Sequence, residues 1–266
     1  MNPQTLSNDQ CARFQKDGYL VVEDLFDKEE VNLLRKIAEA DESLRRDMRT
    51  RHDLQGGITR LTLIEDLGDD IFGAFIRCHR TVDSMAQLLG AEVYHFNHKM
   101  MFKEPFVGGA WEWHQDYGYW YNNGLLFPDM ASCMIAVDPA NKQNGCLQLI
   151  KGSHRVGRIE HGKVADQTGA DLERVNVILE RLPLVYCEME SGSALFFHSN
   201  LLHRSDQNRS PHPRWALICV YNTAHNTPYK ELHRSYKYLE KWPDSKIKEI
   251  GQRQWEMMQA NLPGRR

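Results

Sequence analysis

The sequence predicts a mainly β protein, an antiparallel sandwich or barrel with helices at both ends. Between residues 91 and 222, short apolar runs of strand length alternate with turn-forming residues, a pattern typical of antiparallel sandwiches and barrels. Residues 8–40 and the tail from residue 229 have helical periodicity instead. Since the chain has no internal repeat and no low-complexity stretch, we expect one domain over residues 1–266.

The first part of the chain, residues 1–90, is expected to be mostly helical. A first helix precedes the strand-length run YLVVEDLF, and DKEEVNLLRKIAEA predicts a second helix that Asp27 is placed to cap. The charged segment 41–57 predicts an exposed loop or lid. Residues 60–66 alternate as a strand does.

Seven runs predict the strands of the core, residues 91–225. They are AEVYHFNHKMMFK, AWEWHQD, ASCMIAVD, GCLQLIKG, LVYCEME, SALFFHSN and RWALICVYN. Gly, Pro, Asn and Asp lie between them, as in FVGG and DPANKQNG. The tail, residues 226–266, is expected to be helical with an interruption at Pro243.

Composition and charge exclude several kinds of partner. Lys plus Arg number 33 and Asp plus Glu number 36, with a pI near 6.5, so there is no electrostatic footprint for nucleic acid or an anionic membrane. No apolar run approaches the ~20 residues of a membrane helix, and the first residues lack a secretion signal. The six cysteines are scattered and form no C-x-x-C pair, which favours reduced core residues. We therefore expect a cytoplasmic protein that acts on a small molecule.

The stretch WEWHQDYGYW, residues 111–120, places a histidine and an aspartate two positions apart among aromatic residues. In a strand, His114 and Asp116 would project to one side and Gln115 to the other. One imidazole and one carboxylate make up two-thirds of the 2-His-1-carboxylate triad that binds non-haem Fe(II). Alone, an H-x-D pair is more often a surface loop or a hydrogen-bonded His–Asp couple.

A third ligand and an anion-binding group follow downstream. His203 comes after the apolar run in GSALFFHSNLLHRS, and Arg214 opens the next strand after a Pro-containing turn. A dicarboxylate cosubstrate that chelates iron through its keto-acid end needs a cation for its far carboxylate, and the planar fork of arginine suits that task. Ser205 could add a hydroxyl donor. Taken singly, His203 could equally be a capping residue and Arg214 a surface charge.

These positions, with NGCLQLIKGSHR at residues 144–155, resemble the phytanoyl-CoA dioxygenase family of Fe(II)- and 2-oxoglutarate-dependent oxygenases, which includes the bacterial ectoine hydroxylases. The likeness runs from FQKDGYLVVEDLFDKEEV to about residue 225. It implies a double-stranded β-helix, a cupin-like jelly-roll core with the metal at its mouth. It also implies ligands His114, Asp116 and His203 for Fe(II), and a reaction in which O2 and 2-oxoglutarate give succinate, CO2 and a hydroxylated product.

The resemblance extends to three further positions. Lys103 stands where ectoine hydroxylases have a lysine implicated in 2-oxoglutarate binding, beside the roles of Ser205 and Arg214. Asn97 stands where they have a substrate-contacting glutamine, a replacement that argues against ectoine itself. Trp120 matches a tryptophan and is assigned to the substrate wall. The alternatives are a solvated strand face for Lys103 and core packing for Trp120.

The substrate class expected is a small polar metabolite. An acyl-CoA thioester is the alternative, for which a charged segment could supply a basic groove through Arg45, Arg46, Arg49 and Arg51. A zinc hydrolase and a non-catalytic jelly-roll binding protein are the other classes considered. A hydrolase gives no role to Arg214 and Ser205, and the intact triad argues against a non-catalytic module.

Overall fold

The computed structural model describes residues 6–231 and 235–260. The helices are α1 (Asn8–Asp17), α2 (Lys28–Ala40), α3 (Glu42–Arg46), α4 (Ile71–Arg77), α5 (His79–Leu89), α6 (Asp116–Trp120), α7 (Leu172–Leu179) and α8 (Lys246–Ala260). The strands are β1 (Tyr19–Val22), β2 (Arg49–His52), β3 (Ile58–Ile64), β4 (Val93–Lys103), β5 (Trp111–His114), β6 (Met130–Ala136), β7 (Leu147–Ile150), β8 (His161–Val164), β9 (Gln167–Ala170), β10 (Leu184–Cys187), β11 (Ala194–His198), β12 (His203–Ser205) and β13 (Arg214–Thr223).

Two antiparallel sheets form the core. The larger has the order β1-β11-β6-β13-β4-β3-β2 and the smaller the order β10-β7-β12-β5. Their facing sides pack through residues such as Met134 of β6, Leu149 of β7 and Phe197 of β11. The crossed strand order and flanking helices confirm the predicted mainly β class with a double-stranded β-helix, or jelly-roll, core.

Helices cover the outer face of the larger sheet. Phe196 of β11 packs there with Phe72 and Phe75 of α4, whereas its neighbour Phe197 faces the smaller sheet, as strand alternation requires. The second helix begins as the sequence predicts: Asp27 accepts a hydrogen bond from the Glu30 amide, and the Glu30 side chain accepts one from the Asp27 amide. Because the helices cover this face, only the opposite face of the larger sheet packs against the smaller sheet.

The prediction of an exposed loop at residues 41–57 is wrong. This segment contains α3 and the edge strand β2, which pairs with β3. Its charged residues suit an edge strand, where like-charged side chains discourage pairing with other chains. The first 90 residues thus contribute three strands to the larger sheet as well as helices α1 to α5.

The tail also differs from the prediction of a helix on both sides of Pro243. Helix α8 begins only at Lys246, and the prediction for residues 232–234 and 261–266 lies outside the described residues. Before it, Tyr236 packs edge-on against Tyr94, and the Trp242 amide donates to the Arg77 carbonyl. These tertiary contacts replace the hydrogen bonds of a helix.

The cysteines agree with the expectation from composition. All six cysteines are unpaired, and five of them are buried. None of the described helices has the length and apolar character needed to cross a bilayer.

Candidate metal centre

Three side chains from the mouth of the smaller sheet meet at one point. His114 ends β5 and lies opposite His203, the first residue of β12. Asp116 opens α6 two residues after His114, so the chain turns from strand to helix between them. One ligand atom from each residue lies within 4.8 Å of the others, and the two imidazole centroids are 4.0 Å apart. We call these three residues the ligand cluster.

Backbone contacts fix the orientation of both imidazoles in the ligand cluster. His114 Nδ1 donates to the Glu112 carbonyl at 2.7 Å, and His203 Nδ1 donates to the Leu201 carbonyl at 2.9 Å. Each Nε2 therefore carries a free lone pair, and His114 Nε2 lies 3.8 Å from Asp116 Oδ1. Burial lowers the pKa of His203, and burial with the nearby charge of His203 lowers the pKa of His114 well below its usual value. Both rings are thus neutral at pH 7, the form that binds metals.

The third member of the ligand cluster is held by a hydroxyl. Ser132 of β6 donates to Asp116 Oδ2 at 3.0 Å, which leaves Oδ1 directed at the histidines. Two imidazole nitrogens and one carboxylate oxygen suit a divalent transition metal with open positions. In residues 6–231 and 235–260, this is the one group of three or more His, Cys, Asp or Glu side chains arranged to hold a metal.

Two buried cations lie beside the ligand cluster. Lys103 ends β4 and stands opposite Arg214, which begins β13; we call them the buried cation pair. Burial and the charge of Arg214 lower the pKa of Lys103 well below its usual value, and burial lowers the pKa of Arg214 to about 10. Lys103 Nζ donates to Ser205 Oγ at 2.9 Å and to the Asp206 carbonyl. Ser205 thus contacts the pair, and its predicted role as a hydroxyl donor to the cosubstrate stays a prediction.

Neither member of the buried cation pair forms an ion pair within the described residues. No carboxylate of the described chain lies within ion-pair distance of either residue, and Arg214 Nε is buried without a hydrogen-bond partner. A buried charge is costly unless it is paired. Arg214 therefore fits a carboxylate bound beside it, as a dicarboxylate cosubstrate would supply, whereas Lys103 directs its Nζ at Ser205 and the Asp206 carbonyl.

A cavity joins the ligand cluster to Arg214 and Ser205. Its other lining residues are mostly apolar: Leu61, Lys99, Met101, Trp111, Met134, Leu147, Phe197 and Ile218. Lys99 is only partly buried, and its charge helps to lower the pKa of both ligand histidines. It shares a strand face with Lys103 by alternation, which was visible in the sequence, but no motif marked it as part of the site. Ser132 carried no sequence signal at all.

The two predicted substrate residues are buried outside the cavity lining. Asn97 is buried on β4 opposite Val220. Trp120 packs edge-on against Phe96, 5.7 Å between centroids, inside a small hydrophobic cluster. Neither lines the cavity, so their contact with substrate stays a prediction.

The aromatic residues around H-x-D divide between two environments. Trp111 lines the cavity, and the Tyr119 ring lies 5.6 Å from the His114 ring. Trp113 faces away and packs with Ile150 and Leu202. Only part of the aromatic stretch therefore shapes the site.

Comparisons with known proteins show which family the chain resembles. The family model for phytanoyl-CoA dioxygenase matches residues 14–216. Ectoine dioxygenase from Bordetella parapertussis is 30% identical over 240 residues, covering 84% of this chain and 77% of the relative. L-proline trans-4-hydroxylase from Streptomyces griseoviridis is 29% identical over 238 residues, covering 83% of this chain and 88% of the relative.

The chain is also similar to solved structures of an ectoine dioxygenase. EctD from S. alaskensis with 2-oxoglutarate and 5-hydroxyectoine superposes with a TM-score of 0.73 at 27% identity, covering 91% of this chain and 85% of that one. The same enzyme with bound Fe gives a TM-score of 0.71 at 25% identity, with the same coverage.

Proposed function

The chain belongs to the phytanoyl-CoA dioxygenase family and is an Fe(II)- and 2-oxoglutarate-dependent dioxygenase, and on that premise we propose that the ligand cluster holds its iron. The donor set supports this, since two neutral imidazoles and a carboxylate leave positions open for a cosubstrate and O2. Bound Fe(II), with 2-oxoglutarate and O2, would supply the oxidising power that hydroxylates a C–H bond and releases succinate and CO2.

The buried cation pair and Ser205 hold the far carboxylate of 2-oxoglutarate. The observation that carries this proposal is Arg214, which lines the cavity beside the ligand cluster with its Nε buried and without a hydrogen-bond partner, and which has Lys103 opposite it. The cosubstrate carboxylate would accept hydrogen bonds from the guanidinium and orient the keto-acid end toward the cluster. A zinc hydrolase has no use for two buried cations at this position.

The remaining residues of the cavity exclude water and orient the substrate. Phe197, Met134 and Ile218 supply apolar walls, which suits a reaction in which stray oxidation must be avoided. The Ser132 hydroxyl keeps the Asp116 carboxylate turned toward the two histidines.

The substrate is a small polar metabolite that carries a carboxylate. Lys99 supports this, because it is a cation at the partly open side of the cavity and no carboxylate of the described residues pairs with it. The relatives act on ectoine and L-proline, both compact molecules with a carboxylate. Arg45, Arg46 and Arg49 are exposed on α3 and the edge strand and Arg51 is partly buried there, and none of the four lines the cavity as a groove for an acyl-CoA would require. Action in the cytoplasm, without nucleic acid or membrane, stays a prediction from composition.

A substrate screen tests this proposal. The purified protein with Fe(II), 2-oxoglutarate and O2 is mixed with amino and imino acids and their cyclic relatives, and succinate release is measured. Each hit is checked by mass spectrometry for a product that gains one oxygen. The matching decarboxylated or amidated compound serves as control. Equal turnover of acid and amide would count against the carboxylate requirement, and hydroxylation of acyl-CoA thioesters alone would overturn the substrate class.

A further inference from the structure

The β8–β9 hairpin belongs to neither sheet of the sandwich. It forms hydrogen bonds with the segment that carries His114 and Asp116. The Gln167 side chain accepts from the Glu112 amide and donates to the Ala110 carbonyl, both at 2.9 Å. The Tyr119 hydroxyl donates to the Thr168 carbonyl at 2.6 Å. The hairpin therefore holds this segment on both sides of His114 and Asp116.

His161, the first residue of β8, reaches the peptide between the two ligands. Its Nδ1 donates to the Ile159 carbonyl at 2.8 Å, and its Nε2 accepts from the Gln115 amide at 2.9 Å. Gln115 is fully buried, so its amide would have no water to bind if His161 were lost. The ring lies so close to Gly118 that a Cβ there would stand 2.2 Å from the imidazole. The strand-to-helix turn is thus packed around this one side chain.

The same peptide is tied to the loop that carries the third ligand. The Gln115 side chain accepts from the Ile159 amide at 2.7 Å and donates to the carbonyls of Gly157 and Asn200, the latter at 2.9 Å. Asn200 lies three residues before His203. A shift of the Gln115 peptide would therefore disturb all three members of the ligand cluster.

We propose that His161 is a positioning residue for the metal centre: by accepting the Gln115 amide it sets the turn that brings Asp116 to the same point as His114 and His203. This rests on the proposed function only in that the ligand cluster binds a metal. His161 itself points its Nε2 at the backbone and takes no part in coordination. Its effect is expected on metal affinity and geometry, with chemistry following from that.

Two substitutions separate the role of the His161 Nε2 acceptor from the role of the rest of the imidazole ring. His161→Asn keeps a donor near the Nδ1 position but loses the acceptor, whereas His161→Gln can place an amide oxygen near the Nε2 position. The readouts are Co(II) binding by the apoprotein, followed by visible absorption, and the melting temperature without metal. We expect Co(II) affinity to fall roughly 10-fold or more in His161→Asn and to stay close to wild type in His161→Gln.

A matched control and a second variant keep the test decisive. His79 is another partly buried histidine, and its Nδ1 contacts Asp83 on its own helix α5; His79→Asn should bind Co(II) as wild type does. If His161→Asn does not fold, Gly118→Ala displaces the ring by a methyl group and should lower the affinity similarly. Equal Co(II) affinity in wild type and His161→Asn overturns the inference. If the wild-type protein does not bind Co(II), the proposed function is contradicted, and so is the inference about His161.

Discussion

Lys103 and Arg214 stand directly opposite each other on neighbouring strands, both buried, and neither pairs with a carboxylate in the described chain. Charging two cationic groups this far from water costs free energy when no anion is bound, which is why burial lowers the pKa of both and the charge of Arg214 lowers that of Lys103 further. An anion placed between them recovers part of that cost. The free energy of 2-oxoglutarate binding is therefore linked to the free-energy cost of burying the two cations without an anion.

Removing one of these cations should separate stability from binding. We expect Lys103→Met to weaken 2-oxoglutarate binding by about 10- to 100-fold, because a charged hydrogen bond is lost. The apoprotein should be equally stable or more stable by ~1 kcal/mol, because a buried charge is removed. Calorimetric titration and urea unfolding measure the two effects. The exposed Lys163 is the control, and a Lys103→Met protein that keeps wild-type affinity for 2-oxoglutarate would contradict this explanation.

Ser132 should matter through Asp116 alone. Ser132→Ala removes the 3.0 Å hydrogen bond to Asp116 Oδ2, so the carboxylate can rotate and metal affinity should fall about 10-fold. Equilibrium dialysis under anaerobic conditions measures the affinity for Fe(II). Ser84 is an equally buried serine whose hydroxyl has no partner, and Ser84→Ala should leave the affinity unchanged. Equal effects of the two substitutions would point to packing instead.

Lys99 should govern substrate affinity. Lys99→Met is expected to raise the KM for a carboxylate substrate about 10- to 100-fold, because a charge-assisted hydrogen bond is lost, while Lys99→Arg retains most of it. The KM for 2-oxoglutarate should change little in either variant. Steady-state kinetics with the hit from the substrate screen decides this, and an unchanged KM in Lys99→Met would remove Lys99 from the substrate site.

His98 should make the apoprotein less stable in acid. Burial lowers the pKa of this β4 histidine from 6.5 to about 4, so between these values the unfolded chain binds a proton that the native chain does not. Stability is then full above pH 6.5 and is lost as the pH falls toward 4, by at most ~1.4 kcal/mol per pH unit. Urea unfolding across this range should show a shallower slope for His98→Gln. An identical slope would mean that His98 does not titrate in this way.

Much of the site could be predicted from the sequence, because its residues occupy strand positions with simple periodicity. His114 and His203 flank short apolar runs, and alternation placed Lys99 and Lys103 on one face of β4. The alternating pattern of WEWHQD predicts a continuous strand, however, whereas in the structure the strand ends at His114. Asp116 reaches the ligand cluster from the first turn of α6.

The remaining contacts depend on tertiary packing that no local pattern encodes. No sequence pattern predicts the β8–β9 hairpin, since HGKVADQTGA carries few apolar residues and its strands are stabilised by contacts with residues 110–119. The charges of segment 41–57 predict a loop, because an exposed edge strand and an exposed loop have the same charged composition. Gln115 gave no sign that its side chain joins two ligand-bearing segments.

Anaerobic absorption of the protein with Fe(II) and 2-oxoglutarate tests the central claim most directly, namely that the ligand cluster and the buried cation pair form one chelate site. Wild type should give the weak visible band of the iron–keto-acid chelate, Asp116→Ala should lose it, and Arg214→Ala should show it only at much higher 2-oxoglutarate concentration. Circular dichroism establishes that each variant is folded. No band in the folded wild type, or an undiminished band in Asp116→Ala, would contradict the claim.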